Sequence, residues 1–141
     1  MTADLMGMFS TWYKNPPADV ALLEEFKNKN SLFSESVLAF YLLSNGGEGF
    51  CGKTYISLWP LERIEDLNSS YQIQKYLGEG FLAIGSDGGG DCLAIRRSSE
   101  SNNELVFVPF GDLDPKSVRV VGRNFSLGLE NCFSGVYQHP D

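Results

Sequence analysis

GEGFCGKT, residues 47–54, matches the phosphate-loop pattern G-x-x-x-x-G-K-[ST] letter for letter. In such a loop the glycine-rich backbone and the lysine hold the phosphates of a nucleotide, and the Ser/Thr hydroxyl binds magnesium. That chemistry needs a strand before the loop and a helix after it, so that the helix N-terminus faces the anion. Here a stretch with helical spacing precedes the motif and an alternating, strand-like stretch follows it, which reverses the order. Lys53 is then expected at the start of a strand, with no helix dipole beside it. Asp87 in FLAIGSD follows an apolar strand, where a magnesium-binding carboxylate would sit, but a hairpin turn comes next. Nucleotide hydrolysis through GEGFCGKT is therefore a minor alternative, and no catalytic residue is expected.

Other chemistry finds little footing. His139 is the only histidine and lies in the tail GVYQHPD, where it is expected to be solvated, so neither a Ser-His-Asp nor a Cys-His arrangement is supported. Asp87 and Asp91 in SDGGGD form the best pair for a metal, yet their spacing fits neither an EF-hand loop nor a zinc motif. The expected roles are a turn carboxylate for Asp87 and the start of the next strand for Asp91. No metal site and no cofactor are expected. Cys51, Cys92 and Cys132 are widely spaced and outside any C-x-x-C, as for buried thiols in a reducing compartment.

Composition narrows the function classes. A chain of 141 residues has the length of one domain, taken as residues 1–141 with 1–11 and 135–141 as peripheral tails. Ten Phe, six Tyr and two Trp supply ample core volume, and fifteen Gly point to many tight turns. The net charge of −7, with acidic residues in excess in each third of the chain, speaks against nucleic-acid binding, which needs clustered Lys and Arg. It suits a cationic protein partner through electrostatic steering. No apolar run approaches the ~20 residues of a membrane span. The N-terminus MTADLMGMFS lacks a basic region and a cleavage-like site, so a cytoplasmic protein is expected.

The positioning elements read in three parts. Residues 1–53 read as helical. One helix follows Pro16-Pro17, with Val20, Leu22, Leu23 and Phe26 as its apolar positions. A second is capped by Ser34, carries Val37, Leu38, Tyr41 and Leu42 on one stripe, and stops at Asn45-Gly46-Gly47. Residues 54–110 read mostly as strands: TYISLW, then the hairpin FLAIGSDGGGDCLAI, then ELVFVPF, with a short helix from Pro60 carrying Leu61, Ile64 and Leu67. RRSSESNNE is expected to be a mobile hairpin loop. Residues 114–134 read as helix, capped by Asp114, with Val118, Val121, Phe125 and Leu129 three or four apart. The expected fold class is α+β: an antiparallel sheet of about four to six strands, with N-terminal helices and a C-terminal helix packed on it.

The blocks FYLLSNGGEGF, YISLWPLERIEDLNSSYQI, GFLAIGSDGGGDCLAI and VPFGDLD, in this order from about Trp12 to Leu129, resemble the SUKH superfamily. That group includes the yeast cell-wall-assembly regulators of the Smi and Knr type and many bacterial immunity proteins. The resemblance implies an α+β fold and no shared catalytic activity. It also implies a binding role: bacterial members act as antidotes to secreted polymorphic toxins, which here would be a basic toxin domain. A regulatory or scaffold module, as in the yeast relatives, is the alternative. Asn45, Gly46, Gly47, Gly49, Trp59, Gly85, Asp87, Gly88, Gly89 and Gly90 match the family pattern, and most are expected to specify the fold. The expected partner surface is the acidic and aromatic material around the two glycine turns: Glu48, Phe50, Trp59, Asp87 and Asp91. A core role for Phe50 and Trp59 is the other reading.

Overall fold

The structure, a computed structural model, describes residues 9–98 and 103–140. Seven strands form one sheet in sequence order, each antiparallel to the next: β1 (Tyr13–Lys14), β2 (Gly47–Cys51), β3 (Thr54–Leu58), β4 (Phe81–Ser86), β5 (Asp91–Arg97), β6 (Asn103–Pro109) and β7 (Arg119–Gly122). The helices are α1 (Val20–Lys29), α2 (Glu35–Leu43), α3 (Leu61–Ser70), α4 (Ile73–Leu77) and α5 (Phe125–Ser134), with a 3-10 turn at Pro115–Ser117. The α+β class and the antiparallel sheet agree with the sequence reading. The strand count is higher, because Tyr13–Lys14, Gly47–Cys51 and Arg119–Gly122 pair as strands where helix was expected.

Each departure has a local cause. GEGFCGKT folds as a β-hairpin: β2 and β3 pair from Gly47 with Leu58 to Cys51 with Thr54, and Gly52 turns the chain at φ +62°. Glycine in the first central position with positive φ is what a two-residue hairpin of this kind uses. No helix follows the motif, so the phosphate-loop geometry is not formed. Around Val118 to Leu129 the spacing fits a helix, but two turn signals divide the segment. Asp114 accepts a hydrogen bond from the Lys116 amide, and Asn124 caps α5 by accepting one from Leu127. Between them β7 alternates, with Val120 exposed and Val121 buried. In α1 the cap is Asp19, which accepts from the Ala21 and Leu22 amides, and Val20 is exposed. Ser34 stands at the α2 N-cap without a side-chain cap bond. The buried face of α2 is Val37, Phe40 and Tyr41, while Leu42 is exposed.

Two unbroken rows across the sheet define its faces. One runs Lys14, Gly47, Leu58, Gly85, Leu93, Phe107, Arg119, touching all seven strands. Its large apolar members lie in the main core, with Phe26, Phe40, Tyr41, Phe125 and Leu129 from α1, α2 and α5. The adjacent row runs Tyr13, Glu48, Ser57, Ser86, Cys92, Val108, and because side chains alternate it faces the other way. Among the described residues, only the Cys92–Val108 end of this outer face is covered, by Ile73 and Leu77 of α4 together with Phe110, Leu113 and Val118.

The ends of the chain are drawn in more than expected. Phe9 and Trp12 are buried in the main core, and the Trp12 indole donates to Phe50 O at 2.9 Å. At the other end, the ring of His139 lies 4.2 Å from that of Phe107. Of the stretches read as peripheral tails, 1–11 and 135–141, Phe9 thus lies in the core and His139 against it, while residues 1–8 and 141 lie outside the described residues. The centre of the loop expected to be mobile, 99–102, also lies outside them. All three cysteines are buried, and burial pushes the thiol of Cys132 up to about 11. No helix among the described residues is long and apolar enough to cross a membrane.

β3 pairs with β4 through only two residue pairs, Ser57 with Ser86 and Leu58 with Gly85. Beyond them the chain leaves at Pro60, and the backbone of Ala83 meets the Asn68 side chain instead. The Asn68 amide donates to Ala83 O at 2.8 Å and accepts from Ala83 N at 2.9 Å. Asn68→Leu keeps the shape but leaves both Ala83 groups unpaired in a buried site. At ~1–3 kcal/mol for each unsatisfied group, we predict a loss of about 3 kcal/mol in urea unfolding. A variant as stable as the parent would show that the sheet edge is satisfied without Asn68.

Candidate functional site

The uncovered half of the outer face forms an open groove of about 630 Å³, lined by Glu48, Tyr55, Ser57, Trp59, Tyr71, Ser86, Gly88, Gly89, Gly90 and Phe110. Alternation along TYISLW places Tyr55, Ser57 and Trp59 on this face. Glu48 stands opposite Ser57, with Tyr55 on one side of Ser57 and Trp59, one residue past the end of β3, on the other. The Tyr55 hydroxyl donates to Glu48 Oε1 at 2.6 Å and the Ser57 hydroxyl lies 3.5 Å from Oε2. The hydrogen bond to Glu48 is the main cause that raises the Tyr55 phenol above its ordinary value.

Trp59 is held from both sides. Its carbonyl accepts from the Tyr41 hydroxyl at 2.6 Å, and its amide donates to Ile84 O at 2.9 Å. Its ring is half-buried, packs against both cores, and stacks with Tyr71 at 11° between planes. Tyr71 in turn stacks on Phe110, 4.4 Å between centroids. Trp59 thus serves the core and the groove at once. Phe50, 57% exposed, lies beside the groove, edge-on to Tyr55 at 5.1 Å.

Asn45, Gly46 and Gly85 hold this geometry. Asn45 Oδ1 accepts from the Leu61 amide at 2.8 Å, which caps α3 from a distant turn, and its amide donates to Glu62. Gly46, at φ +80°, lies so close to Trp59 and Pro60 that a Cβ would overlap their backbone. At Gly85 a Cβ would overlap Ser57 O, so glycine is what lets β3 approach β4. Gly47, Gly49 and Gly88 are crowded as well. Gly89 and Gly90 are not: a Cβ on Gly89 would meet only Asp87 Oδ1 at 3.5 Å, and one on Gly90 nothing within 4 Å.

Asp87 and Asp91 do not share the groove. Asp91 lies on the Leu93 and Ile95 side of β5, the main-core face. Asp87 Oδ1 accepts from the Gly89 amide at 2.8 Å and the Asp91 amide at 3.1 Å, so it organises the turn as expected. Its other oxygen lies 3.1 Å from His139 Nε2, which is also 3.0 Å from Asp91 Oδ2. The Tyr137 hydroxyl lies 2.6 Å from His139 Nδ1, and Arg119 pairs with Asp91 at 2.8 Å. The expectation that His139 is solvated is overturned, since its side chain is 8% exposed. One ligand atom each from Asp87, Asp91 and His139 falls within 4.8 Å of the others, a set that could hold a metal ion. Arg119 already supplies positive charge to Asp91 there, and a cation would compete with it.

Some of these partners had a signal in the sequence. Tyr55, Ser57 and Trp59 are two apart in a strand pattern, and Tyr137 and His139 are two apart in an extended tail. Tyr71 and Phe110 had none, since they meet only through the path of α3 and α4.

With this sheet and these flanking helices, the molecule is an α+β domain with an aromatic groove on its outer face. The chain belongs to the SMI1 / KNR4 family (SUKH-1), whose profile matches residues 17–131. No curated protein matches the chain.

The Asp87 carboxyl is subject to opposing influences. Burial raises it, but hydrogen bonds from the Asp91 and Gly89 amides and from His139 outweigh this and hold it below its ordinary value. A depressed carboxyl stabilises the fold fully above its unfolded pKa, and that contribution is lost as the pH falls through the folded one. Asp87→Asn is expected to be less stable at neutral pH and to show a flatter acid limb. Urea midpoints of the two proteins should converge as the pH falls through the depressed folded pKa; a gap that does not narrow as the pH is lowered through the acid unfolding of the parent would remove the carboxylate from this role.

Proposed function

We propose that this chain is a non-catalytic protein-binding domain, an immunity protein that binds and neutralises a cognate bacterial toxin in the cytoplasm. The observation that carries the reading is the groove: stacked aromatic rings and one held carboxylate on the half of the sheet that no helix of the described residues covers. Aromatic side chains in a rigid frame supply contact area at low entropic cost, which is how binding hot spots are made. Net charge −7 supports a basic partner through steering, and family membership supports the binding class. The nucleotide-hydrolase alternative has lost its geometric support, because GEGFCGKT is a hairpin with a strand on either side.

The test is affinity purification of the tagged chain from its native cells. One dominant basic protein, held near equal stoichiometry and inhibited on binding, is the expected result. Several substoichiometric partners would favour the regulatory module. With the partner in hand, Trp59→Ala is predicted to weaken binding roughly thirtyfold, the scale of a ~2 kcal/mol hot spot. Tyr71→Ala, at a 42% exposed position, gives the same readout with less risk to the fold. Undiminished affinity in both variants would place the interface elsewhere.

A further inference from the structure

Glu48 is set apart from the acidic residues that are already paired. Glu104 is paired with Arg96 at 2.6 Å, and Asp91 with Arg119 at 2.8 Å. Among the described residues no lysine, arginine or histidine forms an ion pair with Glu48. The neutral hydroxyls of Tyr55 and Ser57 hold it in place and leave its charge uncompensated. A carboxylate has about four lone-pair sites, so both oxygens can accept further hydrogen bonds.

Around this carboxylate the groove presents ring faces. Tyr55 lies on one side of Ser57 and Trp59, one residue past the end of β3, on the other, and the Tyr71–Phe110 stack extends the Trp59 wall. The far side is the turn Gly88, Gly89 and Gly90, where Gly88 lies against the Tyr55 ring, Gly89 has only Asp87 nearby and Gly90 has open space. Glu48 and Trp59 line the same open groove, so one planar group can reach both.

We propose that the groove reads an arginine of its partner, taking the guanidinium into an ion pair with Glu48 and against the ring of Trp59. This rests on the protein-binding reading above and names the chemistry of that surface. Three demands meet in this occupant. It must be cationic to satisfy Glu48. It must be flat to lie on an indole face. It must carry several donors, to reach both carboxylate oxygens. Guanidinium meets all three, whereas the lysine ammonium is a compact, strongly hydrated point charge that cannot stack.

The experiment is an NMR titration of the full chain with Nα-acetyl-arginine amide, with Nα-acetyl-citrulline amide as the neutral, planar control. Saturable shifts of the Trp59 indole N–H and the Gly88–Gly90 amides are expected, with a Kd on the order of 1 mM for so small a probe. Citrulline should bind at least tenfold more weakly. Glu48→Gln keeps an acceptor for Tyr55 and should lose the arginine preference. Equal binding of the two probes, an unchanged preference in Glu48→Gln, or no saturable shift at the groove would each overturn the proposal. The two readings fail separately. A captured partner weakened by Trp59→Ala but indifferent to Glu48→Gln removes arginine reading and keeps protein binding. Saturable arginine binding in a chain that captures no partner keeps this site and removes the immunity role.

Discussion

The outer face of this molecule depends on the backbone of Ala83, which has no strand partner on one side. β3 stops pairing with β4 after Leu58, because Pro60 offers no amide and turns the chain into α3. A buried strand edge left open there would be costly. Asn68 answers it with one amide group that donates and accepts as a backbone peptide would. Gln74 extends the substitution, donating to Phe81 O at 2.8 Å and to Asn68 Oδ1 at 3.1 Å. These bonds fix where α3 ends and α4 begins, and so they bring Tyr71 against Trp59. Half of the outer face is then roofed by α4, and the other half stays open with an aromatic wall at the boundary. The groove follows from how the sheet edge is satisfied.

The two faces meet at the Asp87–Asp91 turn. On the groove side the turn offers Gly88, Gly89 and Gly90, while on the core side its carboxylates are gripped by His139 and Arg119. Tyr137 and His139 are anchored in turn by ring contacts with Phe107, a member of the main core. A glycine-rich turn left to itself would lose much conformational entropy on binding. Bracing it from behind meets that cost during folding, so the open side can remain free of side chains and still be ordered.

How much of this could be read in the sequence differs by element. The β4–β5 hairpin was legible because Asp and Gly between two apolar runs leave few alternatives, and Asp87 sits where such a turn needs an acceptor. β2 was illegible, since GEGFC contains two glycines in a residue type that strands disfavour. Their reason is tertiary: Gly49 faces the Trp12 ring and Gly47 faces Tyr13 O. β7 was masked by coincidence, because Val118, Val121, Phe125 and Leu129 fit a helix while only Asn124 marks where the real one begins. Of the expected surface, Glu48 and Trp59 share the groove, and Asp87 and Asp91 fall behind it. Adjacency to a glycine turn carries no information about which face a side chain takes. That requires the strand register, and Ser57 opposite Glu48 is a fact of pairing rather than of composition.

Charge acts here at two ranges. The excess of acidic residues sets a field that can draw a cationic partner from a distance, but at physiological ionic strength it fades over about 8 Å. Inside the groove only Glu48 carries charge among the lining residues. Steering is therefore spread over the whole molecule and is insensitive to any one residue. The charge of the groove is concentrated at one carboxylate, held by two hydroxyls beside flat rings. A surface crowded with carboxylates would attract any basic protein and choose poorly among them. A single anchored one rewards only a cation that also fits the aromatic wall, so the discriminating power lies in the rings that surround the charge rather than in the charge itself.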